Sequence, residues 1–407
     1  MMMEQFTEIV EGKIRLLVPI DSITKQVPPK SPAFFNTSAR LNRDISIAAY
    51  NAFLTKLKET KRTFADSLCG IGARALRVAV EIPGIERVYM NDLNVIAIEA
   101  AKKSAKLNCI EEKCYYSVDE VCNFLISHST SSEARFAIVD LDPFGSPSRY
   151  IDCLLRSVLH GGMVSLTATD TAVLCGVYPN VCLRKYLGRP LRTHYANEVA
   201  LRLLLSLIAL TAARLGIAIS PLFAHANLHY MRIYVKVSIS NSQANNVYDN
   251  IGYLRHCHSC GNRNSTREYN KSENCQICQK RYNVGGQLWI GRLFDRQFVN
   301  RMMTTTQDSQ NSTNTKNLCP ANTSNSTTGI DIDIMNKLLL TCSDEIDDIP
   351  YYFRSDEIAS KLKTNSMPLI KVIDKLRASG YQASKSILNP SAFKTNATID
   401  EIQKCLA

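Results

Sequence analysis

The feature that most constrains the fold is a regular alternation of two kinds of segment in the first half of the chain. Short runs of apolar and β-branched residues predict strands at 62–68, 86–92, 134–141 and 161–169. Apolar residues at helical spacing predict helices at 73–81 and 95–107. Strands that alternate with helices predict a mainly parallel α/β sheet. Ligands bind such sheets beyond the carboxyl ends of the strands.

Two of these predicted strand ends carry residues suited to a nucleoside. The stretch DSLCGIGAR (66–74) places Gly70 and Gly72 between a strand and a helix, although a plain tight turn would look the same. Asp92 ends the next strand, where an acidic side chain accepts the ribose hydroxyls of a nucleoside. A dinucleotide needs a longer glycine loop, so the pattern favours S-adenosylmethionine. Arg74 would suit the carboxylate of that cofactor.

A third strand, AIVDL (137–141), ends abruptly in Asp142, Pro143, Phe144 and Gly145. An exocyclic amine of a base is a poor nucleophile because its lone pair is delocalised into the ring. The Asp142 carboxylate and the Pro143 carbonyl could accept the two N–H bonds of such an amine. Phe144 offers a face for stacking of the base. A type I turn with proline at its second position is the structural alternative.

Residues 257–278 contain two Cys-x-x-Cys pairs, Cys257 with Cys260 and Cys275 with Cys278. Two such knuckles complete a tetrahedral Cys₄ site, which predicts one structural zinc ion. The remaining cysteines are expected to be reduced thiols, because nothing in the sequence indicates export. Between the knuckles, Arg263, Arg267 and Lys271 are either phosphate contacts or part of a solvated loop.

The formal net charge of +11 suggests a polyanionic partner, and nucleic acid is the first candidate. The N-terminus lacks the pattern of a signal peptide. In the most apolar stretch (199–219), Arg202 and Arg214 bound only 11 uncharged residues, whereas a membrane span needs ~20. We therefore expect a core helix there, a cytoplasmic protein without a membrane segment, and no obligatory protein partner.

Composition divides the chain into four predicted parts. Residues 301–328 form a polar low-complexity tract that reads as a linker. Residues 1–245 would form the catalytic domain, residues 246–300 the zinc-binding segment, and residues 329–407 a smaller α+β domain.

The C-terminal part shows the pattern of two short helices followed by a strand. Ser355 could cap the first helix, and Gly380 could end the second. This basic segment fits a winged-helix plan for binding nucleic acid. A helical cap packed on the catalytic domain is an equally good interpretation.

Several motifs occur together and in order, and they carry a family resemblance. They are FFNTSARLNRD (34–44), DSLCGIGAR (66–74), MND (90–92), DLDPFGSP (140–147), TATDTAVLCGVYPNVCLRKY (167–186) and GYQASKSILNPSAFKTN (380–396). With them the chain resembles the tRNA guanine-26 N2-dimethyltransferases of archaea and eukaryotes. The resemblance implies a class I, Rossmann-like methyltransferase sheet, S-adenosylmethionine as cofactor, tRNA as substrate, and methylation of the exocyclic nitrogen of a guanine.

The resemblance also implies roles for particular residues in binding the cofactor. Arg43 and Arg74 would hold its methionine end, and Asp92 its ribose. The family usually has Asp-Ala-Asn beside the adenine, whereas this chain has VDEVCNFL there, so Glu120 and Val121 are the expected adenine contacts.

On the substrate side, Asp142 matches the catalytic carboxylate of the family and Phe144 matches a stacking partner of the base. Phe34 matches an aromatic residue near the substrate pocket. Where the family often has Asn-Pro, this chain has Asn36 and Thr37, so the approach to the cofactor can differ.

Three other functions stay open on the sequence. The protein could methylate an exocyclic amine elsewhere in RNA or DNA, or it could bind tRNA without catalysis. A nucleotide-dependent oxidoreductase is disfavoured by the short glycine loop and the Asp-Pro-Phe-Gly tip. The nucleosides formed after incubation with labelled S-adenosylmethionine and tRNA would separate these functions.

Overall fold

The structure is a computed structural model, which describes residues 5–57, 61–227, 229–311 and 328–406. The chain forms two compact units. The first unit comprises Met1–Pro143, Tyr150–Leu166 and Gln297–Leu339. The second unit comprises Phe144–Arg149, Thr167–Arg296 and Leu340–Ala407. The domain boundaries expected from composition stay a prediction.

The strands and helices are numbered separately in chain order. The strands are β1 Phe6–Glu11, β2 Ile14–Pro19, β3 Thr63–Asp66, β4 Arg87–Asn91, β5 Cys114–Ser117, β6 Phe136–Leu141, β7 Val158–Ala168, β8 Ile217–Asn227, β9 Tyr230–Ile239, β10 Ile251–His256, β11 Arg263–Thr266, β12 Asn283–Trp289, β13 Phe353–Arg354, β14 Ala383–Lys385 and β15 Ala392–Thr395.

The helices are α1 Asp21–Thr24, α2 Arg40–Leu54, α3 Ala73–Glu81, α4 Val95–Leu107, α5 Val121–Ser127, α6 Ile151–Ser157, α7 Thr171–Leu174, α8 Pro179–Tyr186, α9 Ala196–Arg214, α10 Asn241–Ala244, α11 Arg296–Asn311, α12 Thr328–Asp344, α13 Ser355–Leu362, α14 Leu369–Ala378 and α15 Ile399–Leu406.

The first unit is built on a parallel sheet with the strand order β5-β4-β3-β6-β7. Every residue of β3 and β6 is buried, as expected for parallel strands covered on both faces. The chain runs outward from β3 to β5 and then returns to β6, next to β3. The strand order therefore reverses between β3 and β6, and ligands bind open α/β sheets at such a switch point.

The predicted α/β sheet is confirmed, and helices α3 and α4 have the predicted bounds. Their apolar periodicity packs one face of each helix into the core. Asn94 caps α4, because its side chain accepts hydrogen bonds from the backbone N–H groups of Ile96 and Ala97. Strand β5 was not predicted, since its four residues CYYS show no alternating pattern.

The second unit has a long core helix, α9, and an antiparallel pair of strands, β8 and β9. Helix α9 has the length and apolar character of a membrane span. However, 72% of its most apolar stretch is buried within the protein, as the core-helix prediction requires. Arg202 of α9 is fully buried and pairs with Glu198 at 2.7 Å, one turn earlier.

Two small antiparallel sheets complete the second unit, with the orders β11-β10-β12 and β13-β15-β14. Helices α13 and α14 confirm the two predicted C-terminal helices, and Gly380 follows α14 with a φ of 89°. The predicted cap is wrong: Ser355 is already the first helical residue of α13, and Arg354 occupies the N-cap position without a side-chain capping hydrogen bond.

Two further expectations changed with the structure. Residues 301–311 of the predicted linker form the end of α11, while residues 312–327 lie outside the described part of the chain. The expectation of reduced thiols is wrong for Cys122 and Cys153, which form a disulfide. They pair because α5 and α6 pack together in the first unit and bring two cysteines to a Cα–Cα distance of 5.4 Å.

Candidate active site

The turn after β3 contains two glycines, and the second of them, Gly72, cannot be replaced by a residue with a side chain. Gly72 has a φ of 79°, which is a left-handed backbone conformation. A Cβ atom there would lie 2.9 Å from Met90 Sδ and 3.0 Å from Ala101 Cβ. No side chain fits without movement of these neighbours. The glycine therefore lets the start of α3 pack closely against β4 and α4.

The carboxylate of Asp92 is held at the end of β4 by two backbone N–H groups. Gly70 donates to Asp92 Oδ2 at 2.9 Å, and Asn94 donates to Oδ1 at 2.9 Å. Each carboxylate oxygen keeps a second lone pair, and the side chain is only half-buried. These contacts orient the carboxylate beside the glycine turn, which suits the predicted binding of two ribose hydroxyls.

Asn91 joins three strand ends, a role that the sequence analysis missed. Its side-chain amide donates to the carbonyls of Ser67 at 3.1 Å and Asp119 at 3.0 Å, and its Oδ1 accepts from Asp119 N–H at 3.1 Å. The residue is fully buried. The three loops beyond β3, β4 and β5 are therefore fixed relative to one another. The only sequence signal was an amide beside Asp92 in the motif MND.

The expected adenine contacts lie at the start of α5. Glu120 caps this helix, because its carboxylate accepts a hydrogen bond from Cys122 N–H at 2.7 Å. Val121 is buried, with 2% of its surface exposed. Asp119 Oδ1 accepts from the N–H of Glu120 at 2.7 Å. The roles of Glu120 and Val121 toward adenine stay a prediction.

Arg43 of α2 is anchored by an acidic residue of the N-terminal hairpin. Its Nε and Nη2 atoms each lie 2.6 Å from the Glu11 carboxylate, and Nη2 also donates to Asn36 O at 3.1 Å. Burial acts to raise the pKa of Glu11, but the charges of Arg43 and Arg77 outweigh it and hold the pKa below its ordinary value. Among the described residues, Nη1 of Arg43 has no hydrogen-bond partner, so it is available for a carboxylate.

The segment that carries Phe34 passes beside the glycine turn. The Phe34 carbonyl lies 3.3 Å from the point where a Cβ atom on Gly70 would stand. Nearby, Asn94 Nδ2 donates to Pro32 O at 2.8 Å, which ties this segment to the start of α4. The Phe34 side chain is half-buried. Its role toward the substrate stays a prediction.

The end of β6 holds two carboxylates that share one arginine. Arg74 Nη2 lies 2.5 Å from Asp142 Oδ2, and Arg74 Nε lies 2.9 Å from Asp140 Oδ2. Asp140 is fully buried and also accepts hydrogen bonds from Tyr50 at 2.9 Å and Ser165 at 2.6 Å. The side chain of Asp142 is 31% exposed. Asp140 therefore fixes Arg74, and Arg74 orients the more accessible Asp142.

This arrangement gives Arg74 a contact that sequence reasoning did not foresee. The sequence assigned Arg74 to the methionine end of the cofactor, whereas its guanidinium here also bonds Asn42 Oδ1 at 3.2 Å and Ser46 Oγ at 2.5 Å. A contact of Arg74 with the cofactor stays a prediction. The signal that could have revealed the shared arginine was the Asp-x-Asp spacing, which puts Asp140 and Asp142 on one face of the strand.

Beyond Pro143 the chain enters the second unit, where a short loop is held by hydrogen bonds. Gly145 N–H donates to Thr169 Oγ1 at 2.6 Å, and Thr169 N–H donates to Gly145 O at 2.9 Å. Phe144, which precedes this pair, has 61% of its surface exposed. A large aromatic ring with that exposure presents a surface that a base can contact.

A second hydrogen-bond chain braces the same loop. Tyr186 donates to Asp170 Oδ1 at 2.5 Å, and Ser146 donates to the Tyr186 hydroxyl at 2.8 Å. Burial, and then the bond to Asp170, raise the pKa of Tyr186 above its ordinary value, so the phenol stays protonated. Asp170 therefore acts as a brace of the loop that follows Phe144.

The four cysteines of the two knuckles converge as the sequence predicted. Their sulfur atoms all lie within 4.8 Å of one another, and the closest pairs are Cys257–Cys278 at 3.4 Å and Cys260–Cys275 at 3.5 Å. Tetrahedral zinc with Zn–S bonds of about 2.3 Å requires S···S distances of about 3.8 Å. The cluster therefore fits a structural zinc ion with no position left for water.

The backbone stabilises thiolates at the second knuckle, where the pKa values of Cys275 and Cys278 are lowered, whereas burial raises the pKa values of Cys257 and Cys260. Burial raises the pKa of Cys275, but hydrogen bonds, first those from the N–H groups of Cys278 and Ile277, together outweigh it and bring the pKa to about 6. Deprotonated sulfur is the form that binds zinc.

Two residues beside the cluster are buried. Arg263 is neither a phosphate contact nor part of a solvated loop, because it is fully buried and forms an ion pair with Glu357. His256, which precedes Cys257 in the chain, has only 4% of its surface exposed. Both lie on the β10–β11 hairpin, whose paired strands carry these side chains inward.

The sheet with its switch point, two-glycine turn and Asp92 carboxylate is the arrangement found in class I methyltransferases, the class that binds S-adenosylmethionine. Within this class the chain belongs to one family. The sequence-family model of the N2,N2-dimethylguanosine tRNA methyltransferases matches residues 12–407 of this chain.

Relatives with assigned names are similar in sequence to this protein along nearly the whole chain. A tRNA (guanine(26)-N(2))-dimethyltransferase of Methanothermobacter thermautotrophicus is 33% identical, with 98% of this chain and 97% of the relative covered. A tRNA (guanine(26)-N(2)/guanine(27)-N(2))-dimethyltransferase of Aquifex aeolicus is 32% identical, with 98% and 95% covered. Among solved structures, Trm1 from Pyrococcus horikoshii in complex with S-adenosyl-L-methionine is similar with a TM-score of 0.80. It is 27% identical, with 98% of this chain and 99% of that chain covered.

Proposed function

We propose that this protein transfers methyl groups from S-adenosylmethionine to the exocyclic N2 of guanine 26 in tRNA. The observation that carries the proposal is the Asp142–Pro143–Phe144 tip beyond a strand at the switch point, in a chain that matches Trm1 over its length. S-adenosylmethionine supplies a methyl group that its sulfonium already activates. The protein must then position the amine and draw its lone pair out of the ring.

Asp142 and the carbonyl of Pro143 would hold the two N–H bonds of the amine. Arg74 orients Asp142, and the Pro143 carbonyl accepts no hydrogen bond from the described residues. The new N–C bond would form as the S–CH₃ bond of the sulfonium breaks, which leaves S-adenosylhomocysteine as a neutral thioether. The nitrogen would become positively charged, and one N–H proton would pass to Asp142 and then to solvent. The amine keeps one N–H after the first transfer, so the same residues would serve a second methylation.

Phe144 would stack on the guanine once the base has left its place in the tRNA. Its exposed ring supports this role, and base–aromatic stacking contributes about 1–3 kcal/mol. Phe34, beside the glycine turn, would line the approach to the same base. The cytoplasmic location stays a prediction.

For the cofactor, we propose the contacts that the sequence suggested. Asp92 would bind the ribose hydroxyls, and the Nη1 group of Arg43 would reach the methionine carboxylate. Arg74 would lie beside this carboxylate while holding Asp142. Glu120 and Val121 would border the adenine at the start of α5.

The experiment that tests the function is a nucleoside analysis. Unmodified tRNA is incubated with the protein and S-adenosylmethionine labelled in the methyl group, and the RNA is then digested. We expect label in N2-methylated guanosine, and its loss when guanine 26 is replaced by adenine. Label in another nucleoside would indicate a different amine methyltransferase. Binding of tRNA without label would indicate a non-catalytic tRNA-binding protein.

Asp92→Ala should weaken binding of S-adenosylmethionine about 10- to 100-fold, because hydrogen bonds to a charged group contribute about 1.5–3 kcal/mol each. Binding of tRNA should stay nearly unchanged. Isothermal calorimetry measures the cofactor affinity. Glu99→Ala, which removes the same charge from the exposed face of α4, is the matched control. An unchanged cofactor affinity in Asp92→Ala would refute the ribose contact.

The Cys₄ cluster should hold about one zinc ion per chain in protein purified without a chelator. Cys275→Ser should release the zinc and lower the melting temperature, because binding of structural zinc is coupled to local folding. Elemental analysis and thermal unfolding are the measurements. Cys405→Ser, outside the cluster, should retain the zinc. Absence of zinc from the unaltered protein would contradict the assignment.

A further inference from the structure

A polar cavity of about 260 Å³ lies within the second unit, next to the Cys₄ cluster. It is smaller than the ~300–1,000 Å³ of typical small-molecule pockets, so it suits a single charged group better than a cofactor. Its lining comes from the loop before α9, the first zinc knuckle and helix α13. The lining includes Arg192, His194, His256, His258, Glu357 and Lys361.

The balance of charge in this cavity is positive. Arg192 and Lys361 have no ion-pair partner within the described ranges. The one acidic residue of the lining, Glu357, is ion-paired with the fully buried Arg263. Arg263 is itself fixed by hydrogen bonds to Tyr352 O at 2.8 Å and Gly261 O at 3.1 Å. Arg263 therefore neutralises the charge of Glu357 through Oε1, while Glu357 Oε2 has no hydrogen-bond partner among the described residues. The charges of Arg192 and Lys361 remain in excess.

A buried histidine of the same cavity lacks a hydrogen-bond partner. His256 has 4% of its surface exposed, and its Nδ1 atom makes no hydrogen bond to any described residue. A buried polar atom without a partner is rare and unfavourable. The ring of His258 lies edge-on to that of His256, with centroids 4.6 Å apart. The cavity thus offers an unused ring nitrogen together with two unpaired cations.

We propose that this cavity binds a phosphate group of the tRNA backbone. The proposal rests on the proposed function and adds a contact distant in sequence from the catalytic tip. Arg192 binds a phosphate oxygen through its planar guanidinium, Lys361 contributes a point charge, and His256 contributes the buried hydrogen bond. Such a contact carries no base information and sets the register of the RNA on the protein.

The zinc knuckle, which lies apart in sequence from the catalytic residues, would position the histidines of this cavity. Cys257 stands between His256 and His258 in the chain, and its N–H donates to Asn262 O at 2.8 Å. A zinc ion on the knuckle fixes this turn and, with it, the two histidines of the cavity. Zinc would then act on tRNA affinity without taking part in methyl transfer.

The decisive experiment is the salt dependence of tRNA binding by the full-length, zinc-loaded protein. Arg192→Gln and Lys361→Gln should each weaken binding about 3- to 10-fold and reduce the slope of log K against log salt by about 0.7–0.9. Lys106→Gln, which removes a charge from an exposed position of α4, is the control and should leave the slope unchanged. Slopes in Arg192→Gln and Lys361→Gln equal to that of the control would overturn the proposal.

A second measurement separates RNA phosphate from free phosphate. Inorganic phosphate is titrated into ¹⁵N-histidine-labelled protein, and the ring nitrogens of His256 are followed by NMR. We expect His256 to shift, and tRNA to cause the same shift and displace the phosphate. A shift of His256 with inorganic phosphate but none with tRNA would overturn the RNA assignment, and no shift with either would overturn the cavity as a phosphate site. Methyl transfer by the unaltered protein is measured in parallel, so failure of the cavity and failure of the proposed function give different results.

Discussion

Asp142→Asn should reduce methyl transfer about 100-fold or more, the usual scale for losing acid–base assistance. The amide keeps the shape of the side chain, but it loses the charge and presents a donor where an acceptor is needed. Binding of tRNA should survive because the phosphate backbone supplies most of the affinity. Both methylations should slow, since the monomethylated amine still has one N–H to be held.

The measurement is single-turnover transfer to saturating tRNA, with cofactor affinity checked by calorimetry. Asp152→Asn, on the exposed side of α6, is the matched control and should transfer at the normal rate. Phe144→Ala should differ from Asp142→Asn, because it weakens productive docking of the base while the cofactor stays bound. Transfer by Asp142→Asn at the normal rate would mean that the tip of β6 is only a turn.

Asp142 belongs to a network of ion pairs and hydrogen bonds, so the effect of its substitution on the local fold must be considered. Its partner Arg74 is held by Asp140, which Tyr50 and Ser165 hydrogen-bond in turn. Removing the Asp142 charge leaves Arg74 paired with Asp140, so the fold at the strand end should persist. A loss of transfer in Asp142→Asn would therefore report on chemistry and not on local unfolding.

Much of the fold could be predicted because local patterns and tertiary packing agree. The periodicities of α3 and α4 gave their bounds, and the carboxyl ends of β3, β4 and β6 were identified as the places for ligands. Strand β5 was missed because four residues carry too little pattern. The end of α11 was taken for a linker because its composition is polar, although its backbone is helical.

The side-chain partners were harder to foresee than the elements. A sequence shows that Arg74 follows a glycine turn, but not that Asp140 and Asp142 will lie on either side of it. Likewise, Arg263 looked like a solvated loop residue, and only the packing of β11 against α13 pairs it with Glu357. Such contacts join residues far apart in the chain, and composition or periodicity does not encode them.

The same limit applies to Lys394, which the sequence shows only as one letter of the motif NPSAFKTN. In the second unit its ammonium is fully buried between two carboxylates, 3.0 Å from Glu198 and 3.1 Å from Glu345. Glu198 also pairs with Arg202 at 2.7 Å. Two buried cations thus balance two buried acids. Burial raises the pKa of Glu345 to about 7, although the charge of Lys394 acts to lower it.

Lys394→Met should destabilise the protein by about 3–5 kcal/mol, the usual cost of removing one partner of a buried ion pair. The variant retains two acids against one cation, so Glu345 should bind a proton more tightly still. When the pKa of a carboxyl is higher in the folded state than its unfolded value of 4.5, the folded protein binds the proton more tightly. The free energy of unfolding therefore falls as pH rises between the two pKa values. In the unaltered protein that window ends near pH 7, whereas in Lys394→Met it should extend to higher pH.

Urea unfolding at pH 6 and pH 8 measures both effects. Lys394→Met should be clearly more stable at pH 6 than at pH 8, because protonation of Glu345 removes the excess buried charge. The double variant Lys394→Met/Glu345→Gln should recover much of the lost stability and lose the pH dependence between these values. The amide oxygen that Glu345→Gln introduces could still accept the hydrogen bond that Ile387 N–H now donates at 2.8 Å. If Lys394→Met unfolds at the same urea concentration as the unaltered protein, the buried ion pairs do not hold the second unit together.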